Sequence, residues 1–307
     1  MSLVSWVKGR RGASGFGYAS TATEVTEGLD LTGLTFAITG VNSGLGAETA
    51  RVLHRRGARV IGLARTVAKA RAAVDTFFGG DADPWPVACE LSEPDAIVAC
   101  TDTLRDVTLD GIICNAGIMA LPRRELVHGV ERQFFTNHVG HFMLVTRLLE
   151  QLSDRARVVM VSSAAHAWAP EGGIAFDDLA FNRDYRPNRA YGQSKLANLL
   201  FAKALAQRFD GSERRAFAVH PGVIATNLGR HLGRGMQALM PLGNALAFKT
   251  VGQGAATSSY AAAHPDAAHH NGAYFVDCNV ATPSRHARDA DLAERLWRTT
   301  EAIVDGF

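Results

Sequence analysis

Tyr191 and Lys195 stand four positions apart in the run Ala190-Tyr191-Gly192-Gln193-Ser194-Lys195. On a helix, side chains at i and i+4 share a face, so a phenol and an ammonium meet there. A cation beside a phenol favours the phenolate and lowers its pKa from the reference near ~10. The spacing therefore predicts a tyrosine that works as an acid and base near neutral pH. Tyr18, Tyr185, Tyr260 and Tyr274 are followed at the same distance by Ala22, Arg189, His264 and Cys278, so the pairing belongs to Tyr191 alone. Solvated helices also carry such pairs by chance, and the elements around the pair have to decide what it does.

The first of those elements is a glycine turn. Residues 34–39 form a short apolar run, followed by Gly40-Val41-Asn42-Ser43-Gly44-Leu45-Gly46 and by a helix-like stretch over 47–56. Strand, glycine turn and helix open a βαβ unit. The glycines let the backbone approach a pyrophosphate, while the helix N-terminus offers unpaired N–H groups and the positive end of its dipole. The spacing is G-x-x-x-G-x-G and differs from the usual dinucleotide fingerprint, so the strand-to-helix context carries the nucleotide reading. NAD sites hold the ribose 2′-hydroxyl with an acid about ~20 positions further on. This chain reads Gly62-Leu63-Ala64-Arg65-Thr66 there. With no acid and with an arginine suited to a 2′-phosphate, the expected cofactor is NADP(H).

The remaining pattern supplies a frame for these motifs. Strand-like runs at 59–63, 85–89, 111–114, 157–162, 217–220 and 273–276 alternate with helical stretches at 66–77, 94–105, 126–152, 190–209, 253–263 and 289–304. Short, near-continuously apolar strands separated by helices predict an α/β fold. The expectation is a single Rossmann domain over 31–307, with a doubly wound, mostly parallel sheet of about seven strands. Residues 1–30 form an N-terminal extension in which Thr21-Ala22-Thr23-Glu24 fits a capping box. The apolar, irregular stretch 227–250, with Met236 and Met240, reads as a substrate lid.

Bulk properties narrow the class. The 32 basic and 30 acidic residues leave a net charge of +2, too balanced for a nucleic-acid surface. No run reaches the ~18 apolar residues of a membrane span. The cysteines, Cys89, Cys100, Cys114 and Cys278, form no C-x-x-C and read as reduced thiols of a cytoplasmic protein. His138 and His141 lack a third ligand type nearby, so no metal site is expected. His220, at a strand end, reads as packed or hydrogen-bonded, and Asp177-Asp178 as turn material.

Taken in order, four motifs resemble the signatures of the short-chain dehydrogenase/reductase family: Thr39 to Gly46, Asn115-Ala116-Gly117, Tyr191 to Lys195, and His220-Pro221-Gly222. The chain is most similar to the retinol-dehydrogenase-like branch, through Asn137-His138-Val139-Gly140-His141-Phe142, Ser194-Lys195-Leu196-Ala197-Asn198 and Gly272-Ala273-Tyr274-Phe275. The resemblance implies that Tyr191 is the acid/base and that Lys195 is its electrostatic partner and a ligand of the nicotinamide ribose. It implies Ser163 as the hydroxyl on the substrate oxygen and Asn137 as the residue completing a proton relay through water and lysine.

Cofactor contacts are implied for Gly40, Asn42, Ser43, Gly44, Leu45 and Gly46, for Arg65, and for Asn115, Ala116 and Gly117. They are also implied for Pro221, Gly222, Val223 and Thr226. Glu90-Leu91 stands where the family usually places an aspartate by the adenine, with a carboxylate one methylene longer. The expected function is NADP(H)-dependent interconversion of a carbonyl and an alcohol on a lipophilic small molecule, in a protein that could form a homo-oligomer. A non-catalytic dinucleotide-binding scaffold with the same fold is the competing reading.

Overall fold

The computed structural model describes residues 9–78, 85–224 and 248–307. The sheet is laid down by strands β1 (Thr35–Thr39), β2 (Arg59–Ala64), β3 (Trp85–Ala88), β4 (Leu109–Cys114), β7 (Leu152–Val161), β8 (Arg215–His220), β9 (Tyr274–Val276) and β10 (Asn279–Ala281). They stand in the order β10-β9-β8-β7-β4-β1-β2-β3. Every neighbouring pair is parallel except β9 with β10.

Alternation along the strands explains why both faces are covered. In β1, Phe36 and Ile38 belong to one apolar cluster and Ala37 to the other. In β7, Val159 and Val161 face one way and Val158 and Met160 the opposite way. Successive strand residues point to opposite faces, so a strand that is apolar throughout needs helices on both sides. One face is covered by α1 (Ala22–Val25), α2 (Gly44–Arg55) and α8 (Val251–Ala263). The other is covered by α4 (Pro94–Thr103), α6 (Gly140–Arg147), α7 (Pro187–Arg208) and α9 (Ala290–Val304), while α3 (Val67–Phe78) packs beside β2 and β3.

The seven parallel strands are those expected from the apolar runs, and the eighth is an antiparallel addition. The turn before β10 uses Asp277 and Cys278, both at positive φ (51° and 63°), so a two-residue hairpin forms without glycine. The long helix expected over 126–152 is a larger difference. Its first residues form a small hairpin, β5 (Leu126–Val127) with β6 (Val130–Glu131), because His128 and Gly129 both take positive φ. The chain then runs through α5 (Arg132–Phe134) and a π turn (Phe135–Val139) into α6, and β7 already starts at Leu152.

The extension is tied to the edge of the sheet. Asn279 Oδ1 accepts from the Ser14 amide at 3.0 Å, and its Nδ2 donates to the Phe16 carbonyl at 3.1 Å. The expected capping box is present, with Thr21 and Glu24 each bonded to the other's backbone amide. These contacts cover a strand edge that would otherwise be free to pair with another chain. Among the described residues, no helix is long and apolar enough to cross a membrane. The stretch 225–247, most of the expected lid and including Thr226, lies outside the described residues.

Candidate active site

The expected site residues gather at one edge of the sheet because each follows the carboxyl end of a parallel strand or lies on a helix packed against it. Gly40 follows β1, Arg65 β2, Glu90 and Leu91 β3, Asn115 β4, Ser163 β7 and Pro221 β8. Tyr191 and Lys195 reach the same edge from the first half of α7, and Asn137 from the π turn. Open α/β sheets bind ligands at this edge, near the point where strand order reverses, here between β1 and β4.

Ser163 N-caps a 3-10 turn (Ala164–Trp168), its Oγ accepting from the Ala165 amide at 3.2 Å. Its hydroxyl proton is then free to turn toward the Tyr191 oxygen, whose pKa the Ser163 hydroxyl pulls down. Tyr191 is only 7% exposed. Lys195 Nζ donates to the Val161 carbonyl at 2.9 Å and sits 5.7 Å from the centroid of the Tyr191 ring. A Cβ placed on Gly117 would stand 3.1 Å from Asn137 Oδ1 and 3.5 Å from Lys195 Nζ, so the two side chains converge beside that glycine. The Asn137 amide is held by Ile118, accepting from its N–H at 2.8 Å and donating to its carbonyl at 2.9 Å, and it donates to Ser194 Oγ at 2.9 Å. A π turn is a frequent device for presenting a residue at a functional site.

Burial raises the Tyr191 pKa that the spacing to Lys195 is expected to lower. Desolvation pushes the Tyr191 phenol up to about 12, against the opposing pull of the Ser163 hydrogen bond. Burial likewise pushes the Lys195 ammonium down to about 8. In the free protein desolvation of the phenol outweighs the neighbouring cation.

The neighbouring floor has the chemistry that a dinucleotide needs. Gly40 (φ 73°) and Gly44 (φ 59°) take backbone conformations that favour glycine. A Cβ on Gly46 would approach Asn115 Nδ2 to 2.5 Å, which explains the third glycine as packing against β4. Asn115 Nδ2 in turn donates to the Thr39 carbonyl at 2.9 Å, and Ala116 donates its amide to Thr39 Oγ1 at 2.9 Å. Above this support Asn42 and Ser43 are exposed and Leu45 is half-buried. Ser43 caps α2 without a side-chain bond, and the first turn of α2 has no acid. Such an end fits a pyrophosphate. Arg65 is exposed beyond β2. Glu90 Oε1 accepts from the Ser92 amide and hydroxyl at 3.3 and 3.0 Å, and Leu91 is buried where Gly140 passes its carbonyl.

The family model described as short chain dehydrogenase matches residues 35–176, from β1 through the turn after Ser163. A short-chain dehydrogenase from Brassica napus, TIC 32 B, chloroplastic, is 40% identical over 324 residues, covering 100% of both chains. The chain belongs to the short-chain dehydrogenase family. Retinol dehydrogenase 12 of Mus musculus is 38% identical, with 90% of this chain and 87% of that protein covered. The solved structure of an uncharacterized protein from Mycobacterium paratuberculosis superposes with a TM-score of 0.75 at 36% identity, covering 94% of this chain and 98% of the other. The protein is thus an oxidoreductase of a family that uses a nicotinamide dinucleotide.

Several residues that support this short-chain dehydrogenase's site escape sequence reasoning. His166 Nδ1 donates to the Ser163 carbonyl at 2.7 Å and its Nε2 accepts from the Ser284 amide at 3.1 Å, tying Ser163 to the segment after β10. His220 alone among them is expected from the sequence to be packed or hydrogen-bonded, and its Nδ1 accepts from the Ala164 amide at 3.3 Å. Lys249, 1% exposed in its side chain, pairs with Asp277, packs over the Tyr18 ring and lies under Gly222. Its amide donates to the Val223 carbonyl at 2.8 Å, so the Pro221-Gly222-Val223 segment rests on a buried ion pair. A lysine and an aspartate 28 positions apart leave no local signal.

Proposed function

We propose that the protein interconverts a carbonyl and an alcohol on a lipophilic small molecule with NADP(H), using Tyr191 as acid and base. The observation that carries this reading is the constellation at the strand ends. The Ser163 hydroxyl, which pulls the Tyr191 pKa down, lies on one side, and Lys195 and Asn137 converge beside Gly117 on the other. The cofactor supplies and takes up hydride. In the reducing direction Ser163 and Tyr191 hold the substrate oxygen, and Tyr191 passes its proton to that oxygen as charge develops there. Lys195 stabilises the tyrosinate left behind, and Asn137 completes the return of the proton through water.

NADP(H) is preferred over NAD(H) because Arg65, at the end of β2, faces solvent where a ribose 2′-phosphate would lie, with no acid beside it in the Ala64-Arg65-Thr66 turn. A lipophilic substrate is supported by two large apolar side chains left open near the reacting groups, Trp168 and Val223, each 57% exposed. The stretch 227–250 acts as lid in this reading, within one domain spanning 31–307. The buried free thiols fit a reducing compartment, the cytoplasm.

The test is NADPH consumption over a panel of hydrophobic ketones and aldehydes, run beside Tyr191→Phe. The expected result is turnover by the wild type and a loss of about 10²- to 10⁴-fold in the variant, with NADPH binding retained. NADPH binding without turnover across the panel would favour the scaffold reading, and a fully active Tyr191→Phe would remove Tyr191 from its role.

A further inference from the structure

The carbonyl of Asn137 has a partner the reaction does not require. His141, buried to 0% exposure one turn further along, places Nδ1 at 2.9 Å from that carbonyl and Nε2 at 2.9 Å from Thr39 Oγ1. A carbonyl only accepts, so Nδ1 carries the proton. Burial keeps the ring neutral, pushing its pKa down to about 4, with the Asn137 bond working against the shift and the nearby Lys195 charge adding to it. In a neutral imidazole with Nδ1 protonated, Nε2 is an acceptor, and Thr39 must give it the single hydroxyl proton. The alternative acceptor for that proton, the Ile113 carbonyl, lies at 3.5 Å, beyond ordinary range. Thr39 Oγ1 keeps its lone pairs for the amides of Asn115 and Ala116, both at 2.9 Å.

Every proton on this line is therefore assigned. It runs from the amides at the end of β4, through Thr39 at the end of β1 and through His141, to the carbonyl in the π turn. The Asn137 side chain is held separately by Ile118 and Ser194, so the residue is fixed from both directions.

We propose that His141 is a positioning residue for the reaction. Its neutral ring, held as the Nδ1–H tautomer, locks the Asn137 backbone to the ends of β1 and β4 and so positions the Asn137 side chain beside Lys195. The functional half of this inference rests on the oxidoreductase reading above, while the tautomer does not.

Two measurements test it. In the cofactor-free protein, ¹⁵N NMR of the histidine side chains should show His141 protonated at Nδ1 and bare at Nε2; the opposite tautomer overturns the proposal whatever the activity. With a substrate in hand, His141→Leu should lower kcat by about tenfold or more, raise the solvent deuterium isotope effect and raise the KM for NADPH. His141→Asn keeps a donor close to the position of Nδ1 but is too short to reach Thr39. It should hold kcat and the isotope effect near wild type while raising the KM for NADPH by roughly three- to tenfold. A merely structural histidine would not split kcat from KM in this way. The proposal is overturned when His141→Asn loses kcat as heavily as its KM rises, or when His141→Leu leaves kcat and the isotope effect untouched. Should the leucine variant not fold, the asparagine variant and the tautomer decide. Wild-type turnover in the same assay reports separately on the oxidoreductase reading.

Discussion

Lys195 Nζ donates to the carbonyl of Val161, the last residue of β7, at 2.9 Å, and Asn198 Nδ2 donates to the same oxygen at 3.2 Å. The strand end thus holds the ammonium beneath the Tyr191 ring. Burial makes this lysine easier to deprotonate and the tyrosine harder.

A pH dependence of stability follows from that burial. Lys195 falls from 10.5 to about 8 in the folded chain. Between those values the unfolded chain binds a proton that the folded chain has lost, so this group's contribution to stability rises with pH. Tyr191 runs the opposite way, from 10.0 to about 12, so its contribution falls as pH climbs through that window. In the cofactor-free protein, denaturant midpoints of wild type should therefore gain on those of Lys195→Met as pH goes from 7 toward 10. Parallel curves for the two proteins would show that Lys195 titrates normally.

Gly192, next to Tyr191, sets how closely α7 approaches the serine turn. A Cβ there would stand 2.7 Å from the Ala165 carbonyl and 2.8 Å from the backbone carbon of Trp168. Both are main-chain atoms and cannot swing aside. Gly192→Ala should cost about 1–3 kcal/mol of stability by overpacking, outweighing the helix propensity alanine adds. It should also lower kcat by separating Tyr191 from Ser163. A variant of normal melting temperature and kcat would mean the turn yields freely.

How much of this was readable beforehand divides along physical lines. The seven parallel strands announce themselves as apolar runs because both faces are buried, as the opposed clusters around Phe36 and Ala37 show. The motif residues follow because parallel strands deliver their ends to one edge. His128-Gly129 and Asp277-Cys278 escape because three of these four residues take positive φ without being glycine. The π turn escapes because residues 133–145 are all buried, so no polar stripe marks the change of phase that the extra residue makes. Desolvation of Tyr191 and the bond between His141 and Thr39, 102 positions apart, exist only once the chain is packed.

The ion pair under Gly222 should respond asymmetrically to its two single substitutions. Asp277→Asn tolerates the positive φ of that turn but strands the Lys249 charge, whose side chain is 1% exposed, at a cost of up to about 3 kcal/mol. Lys249→Met leaves a carboxylate that is 30% exposed and can still be hydrated, so its cost should be smaller. Chemical denaturation of both variants checks the order. Equal losses would mean that water reaches the lysine.

Arg65 follows the last residue of β2 and is solvent-exposed. Charge-assisted bonds from a guanidinium to a phosphate typically contribute about 1.5–3 kcal/mol, and exposure places this one toward the lower end. Arg65→Ala should therefore raise the KM for NADPH by about tenfold. NADH, which lacks the 2′-phosphate, should be affected by less than about threefold. Steady-state kinetics with both cofactors separates a direct contact from a general loss of the β2 end. Equal losses with the two cofactors would remove Arg65 from the phosphate site and with it the main support for NADP(H) over NAD(H).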